Sequence, residues 1–203
     1  MTIAGKHLPI KMSRADLDNV PEFTLPAGFT LRWYEPGDEA HWLRIHLAAD
    51  PFNEITPELF RKQFGVVPER GLQSASARDC RSGMNSALRD LGERQCYLFG
   101  PTGAVVGTGT AWFDDQFEGA RWGRVHWLAI VPEFQGCGLA KPLMTSICRR
   151  LGELGHERVY LATSTARTAA IGLYLKFGFA PLIRSPEDAV VWREVLPSAV
   201  RKA

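Results

Sequence analysis

Six residues of the chain, Gln135–Ala140 (QGCGLA), place two glycines between an apolar run and an amphipathic run. VHWLAIVP before them is typical of a strand, and KPLMTSICRRLGEL after them is typical of a helix. The first turn of a helix carries unpaired N–H groups and about half a positive charge, so such a junction attracts anions. Glycines at 136 and 138 remove the Cβ atoms that would hold a phosphate away, and they tolerate positive φ angles. The pattern indicates a pyrophosphate-binding loop, with a plain tight turn as the alternative.

Two better-known phosphate loops do not fit this segment. The sequence contains no GxxxxGK[ST], and GxGxxG fails because Lys141 stands at its last glycine position. Nucleotide hydrolysis and dinucleotide binding are therefore both disfavoured.

The elements that must position this loop follow from hydrophobic periodicity and turn residues. We expect helices over the segments around Trp42 and Ile45, TPELFRKQFG, KPLMTSICRRLGELG and AAIGLYLKF. Thr56, Pro57 and Gly65 supply the cap, first-turn proline and terminator of the second of these. We expect strands over FTLRW, QCYLF, AVVGTGTAWF, GRVHWLAIV and RVYLAT, and over APLIR and AVVWREV, which SPED would join as a turn.

Two stretches give weaker patterns. Residues 1–28 carry four chain-breaking residues, Pro9, Pro21, Pro26 and Gly28, and predict an irregular, peripheral lead-in with a short helical piece near Arg14. Residues 66–94 are largely polar and predict only a helix around Met84–Leu91. We therefore expect one domain over residues 29–196, preceded by the lead-in.

Composition limits the class of protein. The 203 residues are 45% hydrophobic and 23% charged, as in a soluble globular protein, and the formal net charge of +2 gives no basic surface for nucleic acid. The four cysteines form no CxxC pair and have no histidine at zinc-finger spacing, so we expect free thiols and no metal. The N-terminal residues lack the apolar core of a signal peptide, and no run is long enough to span a membrane, which favours a cytoplasmic protein.

The loop and its surroundings resemble the GNAT superfamily of N-acetyltransferases. The family signature is Arg or Gln, two residues, Gly, one residue, then Gly or Ala, and Gln135, Gly138 and Ala140 match it. The resemblance extends upstream through IVPEFQG and downstream through AIGLYLKFGF, and it covers roughly Gln95 to Val195, with a cofactor core over 95–180. It implies an α/β (α+β) fold: a twisted, mixed, mostly antiparallel sheet of about seven strands, flanked by about four helices and splayed between its fourth and fifth strands.

The resemblance also implies a cofactor site for acetyl-CoA. The family binds the pantetheine arm along the exposed edge of its fourth strand, here VHWLAIV. Leu128, Ala129 and Ile130 can offer it backbone hydrogen bonds. The phosphates would then lie on the loop formed by Gln135, Gly136, Cys137, Gly138, Leu139 and Ala140.

Two side chains are candidates for the chemistry. Tyr174 matches the family tyrosine that donates a hydrogen bond to the leaving sulfur, although a packed core tyrosine gives the same pattern. His126 stands where some arylalkylamine acetyltransferases of the family carry a base, and a histidine suits removal of a proton from an ammonium acceptor. A buried structural histidine is the alternative. Arg167 replaces the asparagine that commonly contacts the cofactor seven residues before the tyrosine.

Together these residues predict direct acetyl transfer from acetyl-CoA to an amine in a ternary complex, with a backbone N–H at a strand bulge stabilising the oxyanion. We expect a small-molecule amine as partner, neither nucleic acid nor membrane, and a chain compatible with a homodimer. The alternative is an inactive acyl-CoA-binding regulatory module of the same fold. Transfer to oxygen, or of a longer acyl chain, would use the same loop. Phe52, Asn53, Asp114 and Asp115 lie on expected loops that can flank an acceptor pocket, with ordinary solvated turn residues as the alternative.

Overall fold

The computed structural model describes residues 6–65 and 90–201. Its seven strands are β1 (Pro9–Arg14), β2 (Thr30–Trp33), β3 (Gln95–Phe99), β4 (Val105–Phe117), β5 (Ala120–Ile130), β6 (Val159–Ser164) and β7 (Ala180–Pro181). Its helices include α1 (Glu39–Ala49), α2 (Pro57–Phe64), α3 (Ala140–Glu153), α4 (Thr168–Lys176) and α5 (Pro186–Val200), with a 3-10 turn at Pro132–Phe134. Residues 90–94 are also helical, and the rest of the helix expected around Met84–Leu91 lies outside the described residues.

The seven strands form one mixed sheet in the order β2-β3-β4-β5-β6-β1-β7. The β5–β6 pair is parallel, whereas β2–β3, β3–β4, β1–β6 and β1–β7 are antiparallel. This confirms the predicted fold class. The pairing of β5 with β6 runs over Gly123–Val125, well short of the end of β5, as expected for strands that splay apart.

The N-terminal prediction is wrong in part, because residues 9–14 are a strand of the sheet. β1 pairs with β6 over its whole length, from Pro9 opposite Ser164 to Arg14 opposite Val159. Its side chains alternate between the two faces of the sheet, and Met12 is fully buried. The stretch is therefore a central strand and contributes to the core.

Of the two expected C-terminal strands, APLIR is confirmed only in its first two residues and AVVWREV is wrong. Only Ala180–Pro181 is a strand, and AVVWREV lies in helix α5. Ser185 accepts a hydrogen bond from the N–H of Asp188, and Pro186 occupies the first helical position. SPED is thus a helix start, with a capping serine, a first-turn proline and two acidic residues.

The chain divides into two compact units, and β4 and β5 contribute residues to both. One unit holds Met1–Thr24, Ala111–His126 and Ala140–Ala203, and the other holds Leu25–Thr110 and Trp127–Leu139. In the first, Glu118 and Gly119 both have positive φ and close the β4–β5 hairpin. In the second, α2 begins and ends as predicted, since Thr56 accepts from the N–H of Leu59 and Gly65 is left-handed. No helix within the described ranges is long and apolar enough to cross a bilayer.

Candidate acetyl-CoA site

The glycine loop has the backbone conformation that the sequence predicts. Gly136 and Gly138 have φ of +79° and +78°, in the left-handed region that side chains disfavour. A Cβ built on either glycine meets no protein atom within 4 Å. The protein itself therefore leaves the space beside both glycines open, and residues 135–138 are exposed to solvent.

The loop is fixed at both ends. The Gln135 side chain turns back so that Nε2 donates to the carbonyl oxygen of Ile130 at 2.9 Å, which ties the loop to the end of β5. At the other end Leu139 is 1% exposed, and α3 begins at the next residue. This gives Gln135 a bracing role, since its side chain and its N–H, which donates to the carbonyl oxygen of Pro132 at 3.1 Å, both bond to the protein.

Strand β5 changes direction just before the three residues expected to bind the cofactor arm. Trp127 has φ of +48°, which is rare for an aromatic residue and interrupts the extended backbone. Beyond it Leu128 and Ala129 are half-buried and Ile130 is buried. The regular alternation of side chains between the two faces of the sheet is therefore interrupted between His126 and Leu128.

Aromatic side chains from α1 hold Trp127 in this conformation. Its indole Nε1 donates to Oε1 of Gln63, at the end of α2, at 3.2 Å. The ring packs edge-to-face against Trp42 and His46, with centroids 5.0 Å away in both pairs. Such contacts can offset a backbone strain of about 1–3 kcal/mol, and strained residues concentrate at functional sites. Contacts with α1 and α2 therefore anchor the residue at which the extended backbone of β5 is interrupted.

Tyr174 lies on α4 and is 8% exposed. Burial raises the pKa of Tyr174 to about 12, while the nearby positive charge of Arg167 acts in the opposite direction. The phenol thus stays protonated at neutral pH and can donate a hydrogen bond. Complete proton transfer to a thiolate of pKa about 8.5 would cost about 5 kcal/mol, so the structure favours hydrogen bonding over proton donation.

His126 is the last β5 residue before the kink at Trp127 and is 6% exposed. It belongs to the same compact unit as Tyr174, whereas Leu128–Leu139 belong to the other unit. The role of His126 as a base stays a prediction. Arg167 precedes α4, and its N–H donates to the carbonyl oxygen of Ser164 at 3.0 Å.

The described cysteines are free thiols in two different environments. Cys137 is exposed in the loop, whereas Cys96 and Cys148 are buried, which raises the pKa of each to about 12. Among these three described thiols, only that of Cys137 is accessible to a reagent in the folded protein; Cys80 lies outside the described residues.

Comparison with known proteins identifies the family of this chain. Residues 58–179 match the family "Acetyltransferase (GNAT) family", and the chain belongs to that family. Members use acetyl-CoA, and the open glycine loop after β5 is compatible with its phosphates.

The chain is also similar to mycothiol acetyltransferases. The enzyme of Nocardia farcinica is 31% identical over 175 residues, which are 80% of this chain and 48% of that protein. The enzyme of Salinispora tropica is 30% identical over 79% of this chain and 48% of its own length. The chain therefore spans about half the length of the curated relatives it matches.

Solved structures support the fold. The GCN5-related N-acetyltransferase of Sphaerobacter thermophilus aligns over 87% of this chain and 50% of its own, with a TM-score of 0.53 and 21% identity. The ribosomal-protein-S18-alanine N-acetyltransferase of Escherichia coli aligns over 76% of this chain and 79% of its own, with a TM-score of 0.53 and 17% identity.

The sequence did not indicate Trp127 and Gln63 as site residues. A positive φ at tryptophan has no sequence signature, since it arises from packing against α1 and α2. Trp42 of α1 and the two phenylalanines of α2 do indicate an aromatic cluster, but they do not indicate which backbone segment the cluster would anchor.

Proposed function

We propose that the chain is an acetyl-CoA-dependent N-acetyltransferase, with a small-molecule amine as acceptor and direct transfer in a ternary complex. The observation that carries the proposal is the loop with two left-handed glycines, open on its Cβ side, directly after a strand kinked at Trp127. The loop would hold the phosphates, and the strand edge at Leu128–Ile130 would hold the pantetheine arm.

The proposed mechanism assigns one task to each group of the chain. Acetyl-CoA supplies an acetyl group activated as a thioester. His126 accepts the proton that the ammonium must lose before its nitrogen can attack. The N–H groups beyond Trp127 stabilise negative charge that develops on the attacked carbonyl oxygen. Tyr174 donates a hydrogen bond to the sulfur as the thiolate leaves.

Cys137 gives a test of the cofactor site that does not need an acceptor. We expect iodoacetamide to alkylate Cys137 in the folded protein, and acetyl-CoA to slow that reaction, because the thiol lies between the two glycines. Mass spectrometry of the peptide containing Cys137 measures the rate, and alkylation of urea-unfolded protein is the control. An unchanged rate at saturating acetyl-CoA would place the cofactor elsewhere.

The acceptor and the alternative function are tested together. Acetyl transfer is tested by incubating the protein with acetyl-CoA and a panel of small amines and measuring the release of free thiol. The panel includes the acceptor of the mycothiol acetyltransferases, because this chain is similar to those enzymes. Protection of Cys137 without transfer to any acceptor would favour the regulatory module.

We also propose a cytoplasmic location, which the free thiols in the described residues support. The single domain over residues 29–196 and the homodimer stay predictions.

A further inference from the structure

Two aromatic rings are stacked in the unit that contains His126. Tyr160 of β6 and Phe117 at the end of β4 have ring centroids 3.6 Å apart and an interplanar angle of 3°. The Tyr160 hydroxyl donates to Oδ2 of Asp114 at 2.8 Å, and both rings are buried. The hydrogen bond to Asp114 and the burial of both rings fix this pair, Tyr160 and Phe117, which we call the aromatic platform.

Three cations lie over this platform. The guanidinium carbon of Arg124 is 5.5 Å from the centroid of Tyr160, while Lys11 Nζ and the guanidinium carbon of Arg184 are 5.1 and 4.9 Å from that of Phe117. The two rings cover each other's inner faces, so Arg124 lies on the Tyr160 side of the stack, whereas Lys11 and Arg184 lie on the Phe117 side.

The two nearby carboxylates are already engaged. Glu118 pairs with Arg184. Asp114 accepts from Tyr160 and also from the N–H of Gln116, at 3.0 Å. Burial opposes ionisation of Asp114, but these hydrogen bonds and the charges of Arg124 and Lys11 outweigh it and hold the pKa of Asp114 below its usual value. Both oxygens of Asp114 thus have other partners, and Glu118 is paired with Arg184, so neither carboxylate is bonded to Arg124.

Arg124 is the least satisfied of these cations. It is half-buried, and its Nε is shielded from solvent without a hydrogen-bond partner among residues 6–65 and 90–201. The ion pairs found in those ranges do not include it either. Arg121, on the same strand, instead pairs with Asp115 at 3.1 Å and is exposed. A guanidinium that is partly removed from water and left without an acceptor is poised for an incoming anion.

The position of Arg124 relates this charge to the proposed reaction. Arg124 lies beside Tyr160 in the parallel register of β5 and β6, and two residues before His126. Residues two apart on an extended strand share a face, and the kink at Trp127 comes after both. A group held by Arg124 therefore lies on the same strand face as the proposed base.

We propose that Arg124 binds a carboxylate carried by the acceptor amine. The inference rests on the proposed acetyltransferase function and narrows its substrate class to amino acids and related amino carboxylates. The planar guanidinium can hold a carboxylate through two parallel hydrogen bonds.

The test compares acceptors that differ in one charge. Amino acids and their amides are paired by side chain, and kcat/KM at saturating acetyl-CoA is measured for each pair. The parent is expected to prefer the acid over its amide by at least about tenfold, as for a charge-assisted hydrogen bond. Arg124→Gln should reduce that ratio to near one, Arg124→Lys should keep part of it, and Arg121→Gln should leave it unchanged.

Binding of products separates this inference from the acetyltransferase proposal. N-acetyl amino acids and their amides are titrated by calorimetry into the parent and Arg124→Gln proteins, with circular dichroism as the folding control. Selective binding of the acid form, lost in a folded Arg124→Gln protein, supports the carboxylate site even where no transfer is observed. Equal or undetectable binding of both forms by the parent, or an acid preference that survives in Arg124→Gln, overturns it.

Discussion

Replacing Gly138 by alanine tests whether the loop is an anion site or only a turn. Gly138 has φ of +78° and open space beside it, so a methyl group meets no protein atom within 4 Å. The backbone cost of a left-handed non-glycine residue is about 1–2 kcal/mol. If that strain displaces the loop N–H groups from the phosphates, acetyl-CoA affinity falls by about fivefold to thirtyfold, and a methyl group in the phosphate space lowers it further.

Gly103 supplies a matched control. It has φ of +79° and open space beside it, but lies in the turn between β3 and β4. Gly103→Ala should therefore lose similar unfolding free energy while keeping parent affinity. Gly138→Asn separates the effect of backbone strain from the effect of filling the phosphate space. Asparagine tolerates the left-handed region, but its side chain fills more space than that of alanine. Calorimetric titration gives the affinities and urea unfolding the stabilities. Parent affinity in a folded Gly138→Ala protein would refute the anion-site interpretation.

The remaining predictions concern the two catalytic candidates and the N-terminal strand. Tyr174→Phe should keep acetyl-CoA affinity and lower kcat about tenfold or more, because a hydrogen bond to the leaving sulfur strengthens in the transition state; an unchanged kcat would make Tyr174 a core residue. His126→Ala should remove the acidic limb of the pH profile of kcat/KM, which Tyr174→Phe should retain, and a limb that persists would exclude His126 as the base. Met12→Ala should cost about 2–5 kcal/mol in urea unfolding, against less than about 0.5 kcal/mol for the exposed Leu47→Ala, and equal losses would contradict the burial of β1.

Local chemistry made several parts of the fold predictable. Thr56, Pro57 and Gly65 defined α2 because cap, proline and left-handed glycine act within a few residues. The same kind of signal was present in SPED, where Ser185 precedes a proline and two acidic residues. The sequence pattern favoured a turn at SPED because the β-branched residues that follow it are typical of a strand. In the structure, the buried residues Trp192, Val195 and Ala199 instead have the spacing of one helix face.

The features that the sequence could not supply depend on contacts between distant residues. β1 is six residues long and pairs with β6 about 150 residues later, so neither its length nor its neighbours identify it. The kink at Trp127 depends likewise on Gln63 and on the rings of α1. Periodicity specifies which face of an element is apolar, but it does not specify its partner.

The N-terminal strand also bears on the candidate site, through Arg14. Arg14 is buried at the end of β1, and its NH1 donates to the carbonyl oxygen of Phe177 at 2.5 Å, just beyond the C-terminus of α4. A Cβ on the next residue, Gly178, would lie 3.2 Å from that same NH1, and Gly178 has φ of +76°. Gly178, the last glycine of AIGLYLKFGF, is thus required both by its backbone angle and by the guanidinium packed against it. The turn at Phe177–Gly178 ends the helix that carries Tyr174, so the contact with Arg14 of β1 helps to fix the position of Tyr174. β1 lies in a part of the chain that the family resemblance does not cover.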